Sequence, residues 1–331
     1  MRMEKIMMEK IMVDEELLDI VIPISEKNIN IIQMTVTFLQ KNIKYRKILI
    51  VGNSNLKHII EPLVLCRMKD TDNIKFVDED ELVPELTLSK IKNIMKCITG
   101  DSRRTGWYYQ QFLKMAYSYV CTQTYYLVWD ADTIPLTPIS FFDEGKPLFT
   151  MKIEYHKPYF ETISRLFPGG NIKHGGESFI AEHMVINCGF MREMIEAIES
   201  NTNLQGEKFY EKILFAVDKN EIKHSGFSEF ETYGNYVRFK HDKVYTLRRL
   251  RTWREAVYIL GHCPSINQLI WAGKSFDIIS IEYTQKENDS KLAHLTKNRV
   301  VRQLFSMKFI VRCKILYNQI LKKEGMVFDR L

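Results

Sequence analysis

Two aspartates separated by one residue follow an apolar run in the middle of the chain. Asp130 and Asp132 come directly after YYLVW at 125–129, a run long enough for a buried strand. Ligands of open α/β sheets collect beyond the carboxyl ends of the strands, so this position suits a binding site. Mg²⁺ and Mn²⁺ take one or two protein carboxylates and fill their other positions with water and substrate phosphates. The spacing therefore indicates a divalent-metal site that would stabilise a diphosphate leaving group.

The same spacing also arises by chance, roughly once in a chain of this length. Three such pairs occur here: Asp70/Asp72, Asp78/Asp80 and Asp130/Asp132. The first lies in a polar turn, and the second lies in an acidic run typical of a solvated surface. Because only the third follows an apolar strand, we expect it to be the metal site. The alternative is that its carboxylates merely cap a turn.

Alternating strand-like and helix-like segments would position this pair. Apolar runs predict strands at 19–24, 47–51, 74–77, 125–129, 148–153 and 183–187. Helical apolar spacing predicts helices at 28–41, 56–67, 86–98, 108–121, 191–200 and 207–217. Continuous apolar runs bounded by polar turns suit parallel strands that are buried on both faces. The pattern therefore predicts an α/β fold, with a mixed, mostly parallel sheet flanked by helices.

The composition places the chain among ordinary globular proteins. Of its 331 residues 45% are hydrophobic and 27% are charged, which excludes collagen-like and disordered classes. No apolar run approaches the ~20 residues that a membrane span needs. The first 16 residues mix Lys and Glu and lack the apolar stretch of a secretory signal, so we expect a cytoplasmic protein without a transmembrane helix.

The positive charge is concentrated at the C-terminus. The whole chain carries a net charge of +6, yet residues 291–331 alone hold ten Lys or Arg and only two acids. A nucleic-acid-binding protein usually spreads its basic residues over the main binding face, so we expect no nucleic-acid partner. Residues 297–323 contain eight Lys or Arg and no acid. Apolar residues recur there at near-helical spacing: Val300, Val301, Leu304, Phe305, Ile315, Leu316 and Ile320.

This C-terminal pattern predicts a basic amphipathic helix. Such a helix lies in the interface of an anionic membrane, with its apolar side buried and its cations near the headgroups. The alternative is that the helix packs on the catalytic domain and shows only its basic side. The sequence leaves both interpretations open.

Four segments resemble the GT-A-fold, DxD-containing nucleotide-sugar glycosyltransferases. They are GWYYQQFLKM at 106–115, VWDADT at 128–133, EHMVIN at 182–187 and FSEFETYGNY at 227–236. The likeness covers about residues 18–280 and is greatest to an uncharacterised bacterial group found with capsule and lipopolysaccharide synthesis. It implies a GT-A fold, a nucleoside-diphosphate-sugar donor, and Mn²⁺ or Mg²⁺ held by Asp130 and Asp132.

The resemblance also implies roles for several other residues. The first strand and its loop would contact the nucleotide base through Pro23, Ile24 and Ser25. Cofactor-binding residues further along the chain would be Arg103, Gln110 and Lys114, together with Asp130. His262 is expected as a third metal ligand, and Glu182 and His183 are expected at the acceptor. For either histidine the alternative is a purely structural role.

An inverting transfer also needs a carboxylate that takes the proton from the acceptor hydroxyl. Glu229 and Glu231 lie among aromatic residues and a glycine, a setting that raises a carboxyl pKa. We expect Glu229 to be the base, with Glu231 as the second candidate. Either could instead bind the acceptor or cap a helix.

The sequence as a whole predicts a metal-dependent, hexosyltransferase-type glycosyltransferase acting on a hydroxyl of a bacterial surface glycan or lipid-linked acceptor. Its expected organisation is an N-terminal extension at 1–17, a catalytic domain at 18–290 and a basic helical tail at 291–331. Within the catalytic domain, 18–135 would bind the donor and 136–290 the acceptor. The alternatives are a nucleotidyltransferase and a non-catalytic envelope-assembly protein. The chain would lie in the cytoplasm or peripherally on the inner face of the membrane.

Overall fold

A computed structural model describes residues 17–65, 72–168, 177–282 and 291–320. Nearly all of the predicted N-terminal extension lies outside these ranges, as do residues 321–323 of the predicted basic helix. The strands of the described residues are β1 (Leu18–Pro23), β2 (Tyr45–Gly52), β3 (Ile74–Asp78), β4 (Tyr125–Trp129), β5 (Thr133–Pro135), β6 (Phe142–Asp143), β7 (Lys146–Thr150), β8 (His183–Asn187), β9 (Thr246–Arg248), β10 (Thr252–Trp253) and β11 (Ile278–Ser280).

The described residues also form thirteen α-helices. They are α1 (Ile29–Asn42), α2 (Lys57–Leu65), α3 (Leu88–Thr99), α4 (Thr105–Ala116), α5 (Lys157–Leu166), α6 (Cys188–Glu199), α7 (Phe209–Ala216), α8 (Glu229–Lys240), α9 (Val257–Leu260), α10 (Ile266–Gly273), α11 (Lys291–Lys297), α12 (Arg299–Leu304) and α13 (Met307–Ile320).

The central sheet has the strand order β3-β2-β1-β4-β8. The first four strands are parallel, and β8 runs antiparallel to β4 at the edge. All six residues of β1 are buried, which explains why its sequence does not alternate and is apolar except for Asp19, whose carboxylate pairs with Arg46 (2.7 Å). The predicted mixed, mostly parallel sheet flanked by helices is confirmed.

Helix α1 joins two hydrophobic cores. Ile32 and Val36 face the main core under the sheet. Ile31 and Phe38, on another side of the same helix, belong to a second cluster with Trp253. A small sheet of order β10-β11-β5 adjoins this second cluster, and β5 begins immediately after the Asp130–Asp132 segment.

The second half departs from the sequence prediction in several elements. The predicted strand at 148–153 is β7, which ends at Thr150. Helix α5 was not expected, and α8 occupies a segment for which we predicted a loop or a helix start. Strands β9, β10 and β11 contain only two or three residues each, which is too few for a periodic pattern.

Residues 291–320 form three helices, whereas the sequence predicts a single amphipathic helix. Asn298 caps α12, and the chain leaves the helical path again at Phe305 before α13 begins. Met307, Ile310 and Val311 are buried in the second cluster. No helix in the described part of the chain is long and apolar enough to cross a membrane.

Candidate functional site

A crevice is expected where the direction of strand addition reverses, between β1 and β4. The order β3-β2-β1-β4 is the one found in doubly wound nucleotide-binding folds, whose ligands lie beyond the carboxyl ends of the strands at this switch point. Ser25 follows β1 closely, and Asp130 follows β4 directly. The fold therefore brings the predicted base-binding loop and the predicted metal ligands to one edge of the sheet.

Backbone and indole hydrogen bonds fix the turn that carries Asp130 and Asp132. The Asp130 N–H donates to the Glu182 carbonyl (3.0 Å), and the Thr133 N–H donates to the Asp130 carbonyl (3.1 Å). The buried indole of Trp129 donates to the Thr133 carbonyl (2.7 Å). These bonds use main-chain groups of the turn, and the two carboxylates add one bond within it, which Asp132 Oδ1 accepts from the Thr133 hydroxyl (3.4 Å).

Lys114 connects two predicted site residues that are far apart in the sequence. Its ammonium lies 2.7 Å from Asp130 Oδ1 and 2.8 Å from Glu229 Oε1, and 4.5 Å from the centre of the Phe230 ring. Burial disfavours the charge on Lys114, yet the two carboxylates raise its pKa above the ordinary value. The lysine is therefore held protonated beside Asp130, one of the two predicted metal ligands.

Glu229 is placed by the start of α8. The Glu229 N–H donates to Gln111 Oε1 (3.1 Å), which ties α8 to α4, the helix that carries Lys114. Ser228 caps α8 by accepting a hydrogen bond from the Glu231 N–H (3.2 Å). Burial raises the pKa of the Glu229 carboxyl, and the charge of Lys114 partly opposes that rise.

The Glu231 carboxylate stabilises the fold through hydrogen bonds with neighbouring groups. Its Oε2 accepts hydrogen bonds from the Ser178 hydroxyl (2.7 Å) and the Phe179 N–H (3.1 Å), and its Oε1 accepts one from the Asn235 amide (2.8 Å). The residue is completely buried. Because three donors occupy its oxygens, Glu231 is poorly suited to accept a proton from a substrate, and its role as the base stays a prediction that this geometry disfavours.

Three glutamates surround Arg254, which lies near Asp130, one of the predicted metal ligands. The guanidinium Nε lies 3.0 Å from Glu282 Oε1 and 3.3 Å from Glu182 Oε1, and Nη1 lies 3.7 Å from Glu154 Oε2. Burial, together with the charges of Asp130 and Glu282, raises the pKa of the Asp132 carboxyl to about 7. Negative charge is thus in excess around Asp132.

Sequence reasoning missed Arg254 and Glu282. Both reach the site because β11 pairs antiparallel with β5, with Ser280 opposite Thr133. The Ile281 N–H also donates to the Asp132 carbonyl (2.8 Å). Nothing local marks these positions, since the pairing joins segments almost 150 residues apart.

The two histidines lie in different environments. His183 is buried and stacked on Trp129 (ring centres 5.0 Å apart), with its Nε2 2.9 Å from the Thr150 hydroxyl. Burial, with Arg248 and Lys152 nearby, lowers the pKa of His183 well below its ordinary value. The structure therefore gives His183 a packing role, and its contact with an acceptor stays a prediction that would require its neighbours to move.

His262 follows α9 and is half-buried. Within residues 17–65, 72–168, 177–282 and 291–320, no group of three or more His, Cys, Asp or Glu side chains is placed to hold a metal ion. The structure thus does not gather His262 with Asp130 and Asp132 into a ready-made metal site. Its role as a third ligand stays a prediction.

The remaining predicted donor-binding residues are only partly brought together. Pro23 and Ile24 are buried at the end of β1, while Ser25 is half-buried and donates to Asn28 Oδ1 (3.0 Å). Gln110 is half-buried on α4. Arg103 is exposed and pairs with its neighbour Asp101 (2.6 Å), so its guanidinium is not directed at Lys114.

Solved structures that are similar to this chain include a mouse xylosyltransferase and LgtC. The crystal structure of mouse xyloside xylosyltransferase 1 in its apo form matches with 12% identity and a TM-score of 0.42, over 80% of this chain and 97% of that chain. An active-site mutant of LgtC matches with 11% identity and a TM-score of 0.45. The galactosyltransferase LgtC in complex with donor and acceptor sugar analogues matches with 9% identity and a TM-score of 0.42. Both LgtC matches cover 85% of this chain and 94% of the other.

Sequence comparison places the chain in a family. No curated protein sequence matches it. A family model described as a family of unknown function, DUF6492, matches residues 16–263, about three quarters of the chain and the whole of the site described above except Glu282. The chain belongs to the family of unknown function DUF6492.

Proposed function

We propose that this protein is a metal-dependent GT-A glycosyltransferase. It transfers a sugar from a nucleoside-diphosphate-sugar to a hydroxyl group of an acceptor. The observation that carries the proposal is the position of Asp130 and Asp132 at the β1/β4 switch point, with the protonated Lys114 against Asp130. Carboxylates for a hard cation and a fixed ammonium at one crevice suit a ligand that contains a diphosphate.

The residues around the pair fit a divalent cation. Asp130 and Asp132 offer hard oxygen ligands. Burial first, and then the charges of Asp130 and Glu282, raise the pKa of Asp132, and a cation would favour its charged form. Both carboxylates would hold Mn²⁺ or Mg²⁺. The bound ion would stabilise the negative charge that develops on the departing diphosphate.

Lys114 and Glu229 complete the proposed chemistry. The acceptor oxygen forms a bond to the anomeric carbon, the bond from that carbon to the diphosphate oxygen breaks, and the diphosphate leaves as an anion. Lys114, held between Asp130 and Glu229, adds a fixed positive charge near the leaving group. If the configuration inverts, the proton of the acceptor hydroxyl passes to a carboxylate, and Glu229 is the first candidate because its pKa is raised.

The acceptor is the part of the proposal that rests on sequence resemblance alone. The matching motifs are most similar to those of a bacterial group associated with capsule and lipopolysaccharide synthesis. We therefore propose a surface-glycan acceptor, made on the cytoplasmic side and linked to a lipid. Glu182 and His183 are the residues that the resemblance assigns to it.

A donor-hydrolysis screen tests the proposal. The purified full chain is incubated with Mn²⁺ and a panel of UDP-, GDP- and CMP-linked sugars, and the released sugar and nucleotide are measured by mass spectrometry. We expect one donor class to be consumed. Asp130→Asn and Asp132→Asn should each lower that turnover about a thousandfold, because metal-assisted departure of the diphosphate is lost.

The control is Asp72→Asn, which removes an exposed carboxylate of another D-x-D pair and should retain full turnover. Retention of a tenth of wild-type turnover in either site variant would contradict the metal assignment. Release of sugar phosphate from a UDP- or GDP-linked sugar, with label transferred from the nucleoside, would indicate a nucleotidyltransferase instead. A chain that binds none of these compounds in calorimetry would be a non-catalytic protein.

A further inference from the structure

Apolar side chains are exposed on the outer side of the C-terminal helices. We call this region the tail surface. It consists of residues on α12 and α13 and of Phe305 in the segment between them: Val300, Leu304, Phe305, Phe309, Leu316 and Tyr317. Leu304 is 70% exposed and Leu316 57% exposed, and the Phe305 and Phe309 rings stack on each other at 5.5 Å. Large apolar side chains exposed close together along the chain mark a candidate interaction surface.

The tail surface is mounted on the body of the protein. Met307, Ile310 and Val311 on the inner side of α13 are buried in the second hydrophobic cluster. The Trp271 indole of α10 donates to the Phe305 carbonyl (2.9 Å). Helix α13 therefore packs on the domain, as the second interpretation predicts, but it also presents apolar residues to solvent, and its contact with a membrane stays a prediction. The apolar stripe that we predicted is divided, because Val301 and Ile315 pack against the second cluster.

A groove of about 480 Å³ runs along this surface. It is lined almost entirely by apolar atoms, with Leu292 and Leu295 of α11 on one wall and Phe305, Phe309 and Tyr317 on the other. Phe309 and Tyr317 are eight residues apart on α13 and so share one side of that helix, and Phe305 stacks on Phe309 from the segment before the helix. The groove therefore offers a ligand apolar surface in addition to that of the exposed side chains.

The Lys and Arg residues of the C-terminal helices are not matched by any acid within these helices. Residues 291–320 contain seven Lys or Arg and no Asp or Glu. Lys297, Arg299 and Arg312 are exposed. A second groove next to Trp271 is lined by Lys274, Arg299 and Arg302. Any partner of this surface must therefore be apolar and anionic at the same time.

We propose that the tail surface docks the protein on an anionic phospholipid bilayer. Phe305, Phe309 and Leu316 enter the interfacial region, and the basic side chains around them contact the headgroups. A bilayer offers hydrocarbon next to a layer of negative charge, which matches both properties of the surface. A second copy of this chain would bring the same positive charge against itself, and a nucleic acid would leave Leu304 and Leu316 exposed.

This inference concerns where the protein works and does not depend on the proposed reaction. Binding is therefore measured without any substrate. The full chain is co-sedimented with liposomes of phosphatidylglycerol and phosphatidylcholine at increasing salt. We expect binding to anionic liposomes only, and a fall of at least tenfold in the partition coefficient between 50 mM and 500 mM salt, because salt screens headgroup attraction.

Two sets of variants separate the electrostatic contribution to liposome binding from the apolar contribution. Lys297→Glu/Arg299→Glu/Arg312→Glu should lower binding at least tenfold, whereas Lys92→Glu/Lys96→Glu/Lys219→Glu makes the same charge change on exposed residues elsewhere and should lower it much less. Phe305→Ser/Phe309→Ser/Leu316→Ser should also lower binding at least tenfold. Its control is Tyr119→Ser/Phe239→Ser, which removes exposed aromatic rings outside the tail surface.

Circular dichroism and thermal melting confirm that each variant is folded before its binding is compared. Equal sedimentation of the tail-surface variants and their controls would overturn the inference, as would sedimentation that does not depend on lipid charge or salt. If the wild type forms a dimer and does not bind liposomes, and if the apolar variants dissociate that dimer, the tail surface binds a second copy of the chain instead. Binding to single- or double-stranded nucleic acid in place of liposomes would likewise overturn it.

Discussion

At the scale of single residues, the charge balance around Lys114 controls the site. Its ammonium is buried, as is the Glu229 carboxylate on one side, whereas Asp130 on the other side is 34% exposed. A buried ion pair contributes little net stability, but removing one partner leaves an uncompensated buried charge. The pair therefore couples the stability of the fold to the chemistry of the site.

Lys114→Met should reduce the free energy of unfolding by about 3–5 kcal/mol, because Glu229 would remain buried without its cation. In the double variant Lys114→Met/Glu229→Gln the loss should be clearly smaller than the sum of the two single losses. Urea denaturation of the four proteins at pH 7 measures this coupling. Losses that add to within about 0.5 kcal/mol would mean that the two side chains do not interact.

The control for this cycle is Lys157→Met. Lys157 pairs with Glu161 at 2.9 Å, but its side chain is 73% exposed. Exposed pairs at this spacing contribute little to stability, so the control should leave the free energy of unfolding nearly unchanged.

Sequence reasoning identified Lys114, Asp130 and Glu229 as separate site residues but not the contact between them. Each carries a local signal: a helical pattern, a strand end, or a motif rich in aromatic residues. The ion pair from Lys114 to Glu229 joins positions 115 residues apart and depends on how α4 packs against α8. Arg254 had no local signal at all, because its neighbours are glutamates from three distant segments.

At the scale of elements, α8 positions the predicted base. Its residues from Glu229 to Val237 are all buried, so the helix lacks the polar side that creates a helical period. The sequence therefore could not identify it by amphipathic spacing. Strands β4 and β8, in contrast, match the predicted runs at 125–129 and 183–187, because burial along most of each strand gives it a short run of apolar residues at its centre.

Gly234 allows α8 to approach the segment that Glu231 anchors. A Cβ at Gly234 would lie 2.3 Å from Phe179 Cγ, a distance that requires the ring or the helix to shift. Gly234→Ala should therefore lower the free energy of unfolding by about 1–3 kcal/mol, as overpacking does, and should reduce donor turnover by displacing Glu229. Denaturation and the hydrolysis screen measure the two effects.

The matched control is Gly106→Ala, near the start of α4. A Cβ there meets nothing within 4 Å. Alanine is the better helix former by up to about 1 kcal/mol, so this variant should be unchanged or more stable. If Gly234→Ala behaved in the same way, the close approach of α8 to Phe179 would be wrong.

At the scale of the whole molecule, the C-terminal helices are part of the body. Met307 and Val311 are buried with Trp253 and Phe276 in the second cluster, and α1 contributes Ile31 to the same cluster. Because α1 also faces the main core, the two clusters share an element. Removing the C-terminal helices would expose this apolar surface, so point substitutions test the tail surface more cleanly than truncation does.

We expect the whole chain to unfold in one cooperative transition that includes α13. Met307→Ala should lower the free energy of unfolding by about 2–5 kcal/mol, because it leaves a cavity at a completely buried position. The melting temperature of the entire protein should fall, and scanning calorimetry should still show a single transition. Leu316→Ala, at an exposed position on the same helix, should leave the melting temperature within about 1 °C of the wild type. A separate low-temperature transition in Met307→Ala, with the main transition unchanged, would show that α13 unfolds independently of the catalytic body.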